Sequence, residues 1–307
     1  MKQELDRFAL GQLLSRLANA GPGEAMSLVP PLRPGMHGRR IGMTGAPGAG
    51  KSTLTGHLAL LRAADRRLGV LAVDPSSPHT GGAILGDRIR MDDLRGIEDL
   101  YIRSIGSRSA SDGLSDNLPE MLDVMDAFGF DEVILETVGV GQAEVAARSQ
   151  VDTLVLVLLP ESGDVVQAMK AGIMEMADIY VVNKADLPGA HRMATDIKRI
   201  AALSRYPEGA WRPKVLLTSA EQPESIQVLS DTIDLHQEWL ATSQDQRTRE
   251  MNRARYRLRR LIERRATQVI SQLDHSVLDM PIDAQLQHVL KEILDQEAGA
   301  IPSSNRL

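Results

Sequence analysis

The 307-residue sequence contains no cysteine, which excludes disulfide bonds, zinc ribbons and thiol-based catalysis. Aromatic residues make up only 3% of the chain, so the core must be packed mainly by aliphatic side chains. The hydrophobic fraction of 43% is still sufficient for a sizeable core and argues against wholesale disorder. The formal net charge of −6 argues against a general nucleic-acid binder or a binder of anionic membranes.

Long hydrophobic runs are also missing. The most apolar window, residues 153–159, is far shorter than the roughly 20 residues that a membrane-spanning helix needs. The first residues, MKQELDRFAL, have neither the regions of a secretory signal nor the Arg-rich composition of a mitochondrial transit peptide. We therefore expect a cytoplasmic protein that binds neither membranes nor nucleic acid.

Apolar periodicity indicates the fold class. Residues 1–20 have the pattern of a short amphipathic helix, and several prolines between 22 and 34 predict a linker after it. Short runs rich in valine, isoleucine and leucine then alternate with helical patterns, as is typical of parallel strands buried on both faces. The predicted strands are 40–44, 69–74, 100–103, 132–136, 153–159, 179–183 and 214–218. The pattern predicts an α/β fold with a doubly wound, mostly parallel sheet.

Strand patterns stop after about residue 235. Residues 236–273 are predicted to form one long, Arg-rich amphipathic helix, and a last helix follows the Met280-Pro281 turn. The apolar face of the long helix comprises Leu258, Leu261, Ile262, Val269, Ile270 and Leu273. We therefore predict three parts: an N-terminal extension and linker (1–37), the α/β domain (38–235) and a C-terminal helical arm (236–307).

Residues 45–52, with the sequence GAPGAGKS, match the P-loop consensus and directly follow the first predicted strand. The glycines let backbone N–H groups turn towards a phosphate, and the helix that begins near Lys51 directs its positive end at the same anion. Lys51 is predicted to bridge the β- and γ-phosphates, and the Ser52 hydroxyl to bind Mg²⁺. The predicted contacts in this loop are Gly45, Ala46, Pro47, Gly48, Ala49, Gly50, Lys51, Ser52 and Thr53.

A second motif, Asn183-Lys184-Ala185-Asp186, follows the strand predicted over 179–183. A carboxylate such as that of Asp186 can accept two hydrogen bonds from guanine, whereas adenine offers no such donor pair. Ser219, Ala220 and Glu221 follow the next strand and are predicted to contact the guanine oxygen through their backbone. The two motifs together predict a GTPase that binds GTP and GDP.

Acidic residues end two other predicted strands. Asp74 and Glu136 should lie at the carboxyl edge of the sheet, where a phosphate group would be bound. Mg²⁺ prefers one or two carboxylates together with phosphate oxygens and water, so both are candidate metal ligands and catalytic groups. Gln142, just beyond the Gly139 and Gly141 pair, is the candidate for orienting the attacking water.

These motifs, with VDPSSP at 73–78, LGDR at 85–88 and ETVGVGQ at 136–142, resemble the MeaB/ArgK (MMAA-type) family of metallochaperone-like P-loop GTPases. The resemblance runs from about residue 38 to 222 and implies a P-loop NTPase fold of the SIMIBI class. It implies that the partner is an adenosylcobalamin-dependent acyl-CoA mutase such as methylmalonyl-CoA mutase, whose cofactor loading the GTPase gates. It also implies a homodimer joined through the C-terminal arm.

Matched position by position, the resemblance adds Asp87 to the metal-site acids Asp74 and Glu136. It makes residues 163–170 an additional switch, with Asp164, Gln167 and Lys170 at its key positions. The spacing alone indicates no more than one solvated helix face.

The sequence also departs from the family pattern, which has a Gly-Gly pair where this chain has Ser115-Asp116. His79, Ala143 and Glu161 are further departures. None should contact the nucleotide, but they leave open which acyl-CoA mutase is the partner.

Two other functions remain open at this stage. A nickel- or cobalt-delivery GTPase shares the fold, although such proteins normally need a store of cysteine or histidine, and the seven histidines here are scattered. An ArgK-like nucleotide-dependent kinase linked to transport is the other, although Asp186 argues against ATP. The stretch 247–265, with nine arginines and two acidic residues, is interpreted as a solvated and inter-subunit helix face in preference to an RNA-binding helix.

Overall fold

A computed structural model describes residues 4–31, 37–74, 97–106, 114–137, 146–160, 176–243 and 245–300. Its centre is a seven-stranded, entirely parallel sheet in the order β3-β2-β4-β1-β5-β6-β7. The strands are β1 (Arg39–Thr44), β2 (Leu68–Asp74), β3 (Leu100–Gly106), β4 (Glu132–Glu136), β5 (Thr153–Leu158), β6 (Ile179–Asn183) and β7 (Lys214–Thr218). All seven predicted strands are confirmed; β3 extends to Gly106, three residues beyond its predicted end.

Helices cover both faces of the sheet, which confirms the doubly wound prediction. The helices of the α/β domain are α3 (Lys51–Arg62), α4 (Leu118–Ala127), α5 (Ala190–Leu203) and α6 (Pro223–Thr242). One face of the sheet packs against α3 and α6, and the other against α4 and α5. The strands β4, β5 and β6 are buried along their whole length, in agreement with their continuous apolar sequences.

The N-terminal extension packs on the α4 face. Helix α1 (Arg7–Asn19) begins where the Asp6 side chain accepts a hydrogen bond from the Ala9 amide at 2.8 Å. It buries Leu10, Leu14 and Leu17 in the same core as α4. The segment predicted as a linker contains a second helix, α2 (Pro22–Leu28), because Pro22 stands at the first helical position, where its missing N–H has no cost.

The C-terminal part differs from prediction. The single helix predicted over 236–273 is wrong: α6 continues to Thr242, and α7 (Asp245–Ile270) begins after a break at Ser243. The apolar face of α6 continues past the predicted boundary with buried His236 and Leu240, so the 235/236 boundary falls inside a helix of the α/β domain. Two further helices, α8 (His275–Leu278) and α9 (Ile282–Ala300), complete the arm. No helix in the described ranges is long and apolar enough to cross a membrane.

Candidate nucleotide-binding site

The loop between β1 and α3 has the backbone geometry that a phosphate loop requires. Gly45, Gly48 and Gly50 have φ angles of 139°, 81° and 82°, a region that disfavours side chains. A Cβ at Gly45 would lie 1.9 Å from the Val157 carbonyl oxygen, so only glycine fits beside β5. Lys51 is the first residue of α3, and the N-terminal amides of that helix begin at this loop. The sequence prediction of a strand–loop–helix arrangement is confirmed.

Lys51 folds back over this loop. Its Nζ donates to the carbonyl oxygens of Gly45 at 2.7 Å and Ala46 at 3.0 Å, and the side chain is buried. The ammonium group thus lies at the mouth of the phosphate loop. These acceptors are neutral carbonyls, and phosphate oxygens would bind an ammonium group more strongly.

Ser52 and Glu136 meet across the end of the sheet. The Ser52 hydroxyl donates to Glu136 Oε1 at 2.6 Å, and the neighbouring Thr137 hydroxyl donates to Thr44 Oγ1 at 2.9 Å. A hydroxyl and a carboxylate are the hard oxygen ligands that Mg²⁺ prefers, so the pair fits the predicted metal. The backbone of Asp74 ends β2 beside β4, where Ala72 is in register with Glu136.

The remaining predicted metal, water-orienting and switch residues lie outside the described residues. They are Asp87, Gln142, Asp164, Gln167 and Lys170. Their assignments stay predictions. Among the residues that the structure describes, no group of three or more histidines or acids is arranged to hold a metal ion.

Asn183 joins the two predicted motifs. Its amide Nδ2 donates to the carbonyl of Ala49 at 2.8 Å, and its Oδ1 accepts from the Thr218 hydroxyl at 2.9 Å. A Cβ at Gly50 would lie 2.6 Å from Nδ2, so the phosphate loop can approach Asn183 this closely only with glycine there. The phosphate loop, β6 and β7 are thereby fixed to one another by a single buried amide.

The other base-motif residues surround this contact. Lys184 adopts a left-handed φ of 54°, and its Nζ reaches the Gly48 carbonyl at 3.3 Å. The Asp186 carboxylate is exposed and accepts from the Ser219 hydroxyl at 3.0 Å. Ala220 and Glu221, exposed on the next turn, lie beside this pair. The structure thus brings both halves of the predicted guanine site together at one end of the sheet.

Helix α7 starts at the opposite, amino end of the strands, beside Asp178 and Asp152, and runs along α4 as far as Asp116. We call five of its arginines the arginine clamp: Arg249, Arg253, Arg257, Arg260 and Arg264. Their spacing places them on one helix face, which points at the chain's own α/β domain. The contacts are Arg249 with Asp178 (3.0 Å), Arg253 with Asp152 (2.9 Å), Arg257 with Asp123 (2.5 Å), Arg260 with Asp116 (3.3 Å) and Arg264 with the Asp116 carbonyl (3.1 Å). The predicted solvated or inter-subunit face is therefore wrong for these five.

Three carboxylates beside the clamp are buried, those of Asp178, Asp123 and Glu120. Burial alone would raise the pKa of Asp178, but the His236 imidazole and the charges of Arg148 and Arg249 outweigh it and hold that pKa well below its usual range. Burial raises the pKa of Glu120, and the charges of Arg257, 3.7 Å from its carboxylate, and Arg264 offset this only in part. The clamp thus faces one carboxylate, Asp178, that favours its charged form and one, Glu120, that disfavours it.

Sequence reasoning missed the clamp and the role of Asn183. The sequence does contain a pattern for the clamp, because arginine recurs at helical spacing, at positions 249, 253, 257, 260 and 264. Its acidic partners are dispersed over the chain and gave no signal. Asp116, which departs from the family's Gly-Gly pair, is one of those partners.

Comparisons with known proteins agree with this geometry. A family model described as "Methylmalonyl Co-A mutase-associated GTPase MeaB" matches residues 14–274. A putative GTPase of Pyrococcus horikoshii is 39% identical over 248 residues, which cover 78% of this chain and 76% of that protein. A putative GTPase of Pyrococcus abyssi is 45% identical over 206 residues, covering 66% of this chain and 64% of that protein.

Two further similarities differ in what they show. The mouse protein named "Methylmalonic aciduria type A homolog, mitochondrial" is 40% identical over 199 residues, covering 63% of this chain and 48% of that protein. The crystal structure of a LAO/AO transport system kinase aligns with a TM-score of 0.59 and 24% identity over 95% of this chain and 100% of that chain, which supports the fold alone. Because the family match runs from α1 through the phosphate loop and the base motif to the end of α7, the chain belongs to the MeaB family of GTPases.

Proposed function

We propose that this GTPase binds GTP and GDP with Mg²⁺ at the carboxyl edge of its sheet. The observation that supports this best is the Asn183 side chain, which ties the phosphate loop to β7 and so fixes the distance between the phosphate and base contacts. Lys51 would neutralise the phosphates, and Asp186 would accept from guanine. Ser52, Glu136 and Asp74 would hold Mg²⁺, which supplies positive charge to the phosphate oxygens.

The substitution Asp186→Asn tests the base assignment. An amide can donate to the 2-oxygen of xanthine, which a carboxylate repels, so preference should move from guanosine to xanthosine nucleotides. We expect the affinity for GTP to fall by roughly 1.5–3 kcal/mol, about 10- to 150-fold, in isothermal titration. Equal affinity of the wild-type chain for ATP and GTP would contradict the proposal.

We further propose that the chain is a chaperone for an adenosylcobalamin-dependent acyl-CoA mutase. The support is the family's description as mutase-associated and the name of the mouse relative, which refers to methylmalonic aciduria. In this proposal, residues 163–170 couple hydrolysis to the mutase. Phosphate release should be measured with and without candidate mutases. With the cognate mutase, Lys170→Ala should lower the ratio of stimulated to intrinsic rate roughly tenfold, about 1.4 kcal/mol of barrier.

The arm is proposed to form a homodimer interface. Leu258 and Ile262 on α7 and Leu286, Leu290 and Leu294 on α9 are all at least half exposed. Large apolar side chains that stay exposed at helical spacing on two helices that pack together are typical of an interaction surface. Deleting 236–307 would also cut α6 and remove the clamp, so point changes are the sharper test. Leu290→Glu combined with Leu294→Glu should give a monomer by light scattering, whereas Lys291→Glu, also exposed on α9, should leave a dimer.

A further inference from the structure

The two edge strands of the sheet are covered differently. At one edge, the Arg103 side chain of β3 donates to the Gly11 carbonyl at 3.0 Å and to the Ser15 hydroxyl at 2.9 Å, so α1 lies against this strand. At the other edge, β7 pairs with β6, and no described strand pairs with its outer side. An open strand edge presents unpaired N–H and C=O groups and can pair with another chain.

A groove of about 560 Å³ lies beside β7. Val215 and Leu216 of β7 line it and are half-buried, whereas the strands in the middle of the sheet are fully buried. Ala202 of α5 and Leu235 of α6 form its walls, and the Leu235 side chain is 57% exposed. The groove therefore offers apolar surface directly next to unpaired backbone.

The charges around this groove have one sign. Lys198, Arg212 and Lys214 line it, and no aspartate or glutamate is among its described lining residues. None of the three makes an ion pair with a described residue, and Lys214 Nζ lies 5.7 Å from the centre of the Trp211 ring. In a chain with a net charge of −6, such a concentration of uncompensated positive charge favours an acidic partner.

We propose that the outer edge of β7 and this groove dock an extended, acidic segment of a partner protein, which adds to the sheet as an eighth strand. Main-chain hydrogen bonds to β7 supply the pairing, and alternate side chains of the segment enter the groove or meet the three cations. The five residues of β7 extend about 17 Å, enough for a segment of similar length. The surface is separate from the dimer arm and does not depend on the identity of the mutase.

A labelled peptide of alternating valine and glutamate residues, eight residues long, is the probe. It should bind the full-length chain, saturated with GDP and Mg²⁺, in a fluorescence anisotropy titration, and its valine–lysine counterpart should not. The double variant Arg212→Glu with Lys214→Glu should weaken binding at least tenfold. The matched control is Arg192→Glu with Arg199→Glu, which makes the same charge change at exposed α5 positions outside the groove and should leave binding within twofold.

A second measurement, with peptides modified in their backbone, separates strand addition from simple charge attraction. Two further peptides carry N-methyl groups on alternate residues, in one register or the other. Strand addition uses only one set of peptide N–H groups, so one peptide should lose binding and the other retain it. Equal binding of both, no saturable binding of the acidic peptide, or an equal loss in the control variant would each overturn the proposal.

Discussion

The two ends of the strands in this sheet use charge in different ways. At the carboxyl ends, charged side chains contact neutral groups: Lys51 bonds to backbone carbonyls, and Asp186 and Glu136 accept from serine hydroxyls. At the amino ends, arginines pair with buried carboxylates such as Asp178. Neutral partners are easily exchanged for a charged ligand, whereas separating a buried ion pair leaves an uncompensated charge. The carboxyl end is thus suited to binding, and the amino end to holding the arm in place.

The largest expected effect comes from Lys51→Ala at the carboxyl end. Two charge-assisted hydrogen bonds to phosphate are worth roughly 3–6 kcal/mol, so triphosphate affinity should fall at least a hundredfold and turnover should be lost. Isothermal titration and phosphate release measure this. The exposed Lys291→Ala on α9 is the control. Retained hydrolysis in Lys51→Ala would show that the loop acts through another cation.

The second effect, at the amino ends of the strands, should be on stability and not on nucleotide binding. Asp178→Asn leaves Arg148 and Arg249 without their shared negative partner, which should lower the free energy of unfolding by roughly 3–5 kcal/mol. Urea denaturation checks the loss, with Asp231→Asn, an exposed carboxylate on α6, as the control. GTP affinity of the folded variant should stay unchanged. If Asp178→Asn instead lowered the affinity for GTP and left the free energy of unfolding unchanged, the amino end would serve binding and the proposed difference between the two ends would be wrong.

The third expected effect is that low pH weakens the ion pairs of Asp178 at the amino ends of the strands. Because the folded pKa of Asp178 lies below its unfolded value, its contribution is fully present above the unfolded pKa of about 3.9 and declines as pH falls below it. The stability difference between the wild type and Asp178→Asn should therefore shrink as denaturation is repeated from pH 6 down to pH 3. A difference that stays constant over that range would mean that Asp178 titrates normally.

The smallest effect concerns Glu120, the buried carboxylate beside the clamp whose pKa is raised. A folded pKa above the unfolded value means that charging Glu120 costs stability near neutral pH. Glu120→Gln should therefore leave the free energy of unfolding unchanged or raise it by less than about 1 kcal/mol. If denaturation shows a loss of the size expected for Asp178→Asn, the contact with Arg257 is stronger than its 3.7 Å distance indicates.

The sequence was informative where local pattern decides structure. The strands, the phosphate loop and the base motif follow from apolar runs, glycine positions and short motifs, all of which act over a few residues. The end of α6 was missed because no proline or glycine marks the break near Ser243, and residues 242–250 are all polar, so no apolar spacing locates the break. The Asn183 bridge and the clamp depend on contacts between residues far apart in sequence, such as Arg257 and Asp123, which a single sequence does not display.

Strand β1 connects the two ends directly. At its start, the Arg40 amide donates to Asp152 at 2.8 Å, and the Arg40 guanidinium bonds to Asp126 at 2.7 Å and to Asp123 at 3.3 Å. Asp152 and Asp123 are also bound by the clamp, and Thr44, the last residue of β1, precedes the phosphate loop. A six-residue strand spans about 20 Å and, buried on both faces, has little room to bend. In mechanical terms β1 is a strut, so a force applied to the arm bears on the phosphate loop through a rigid element.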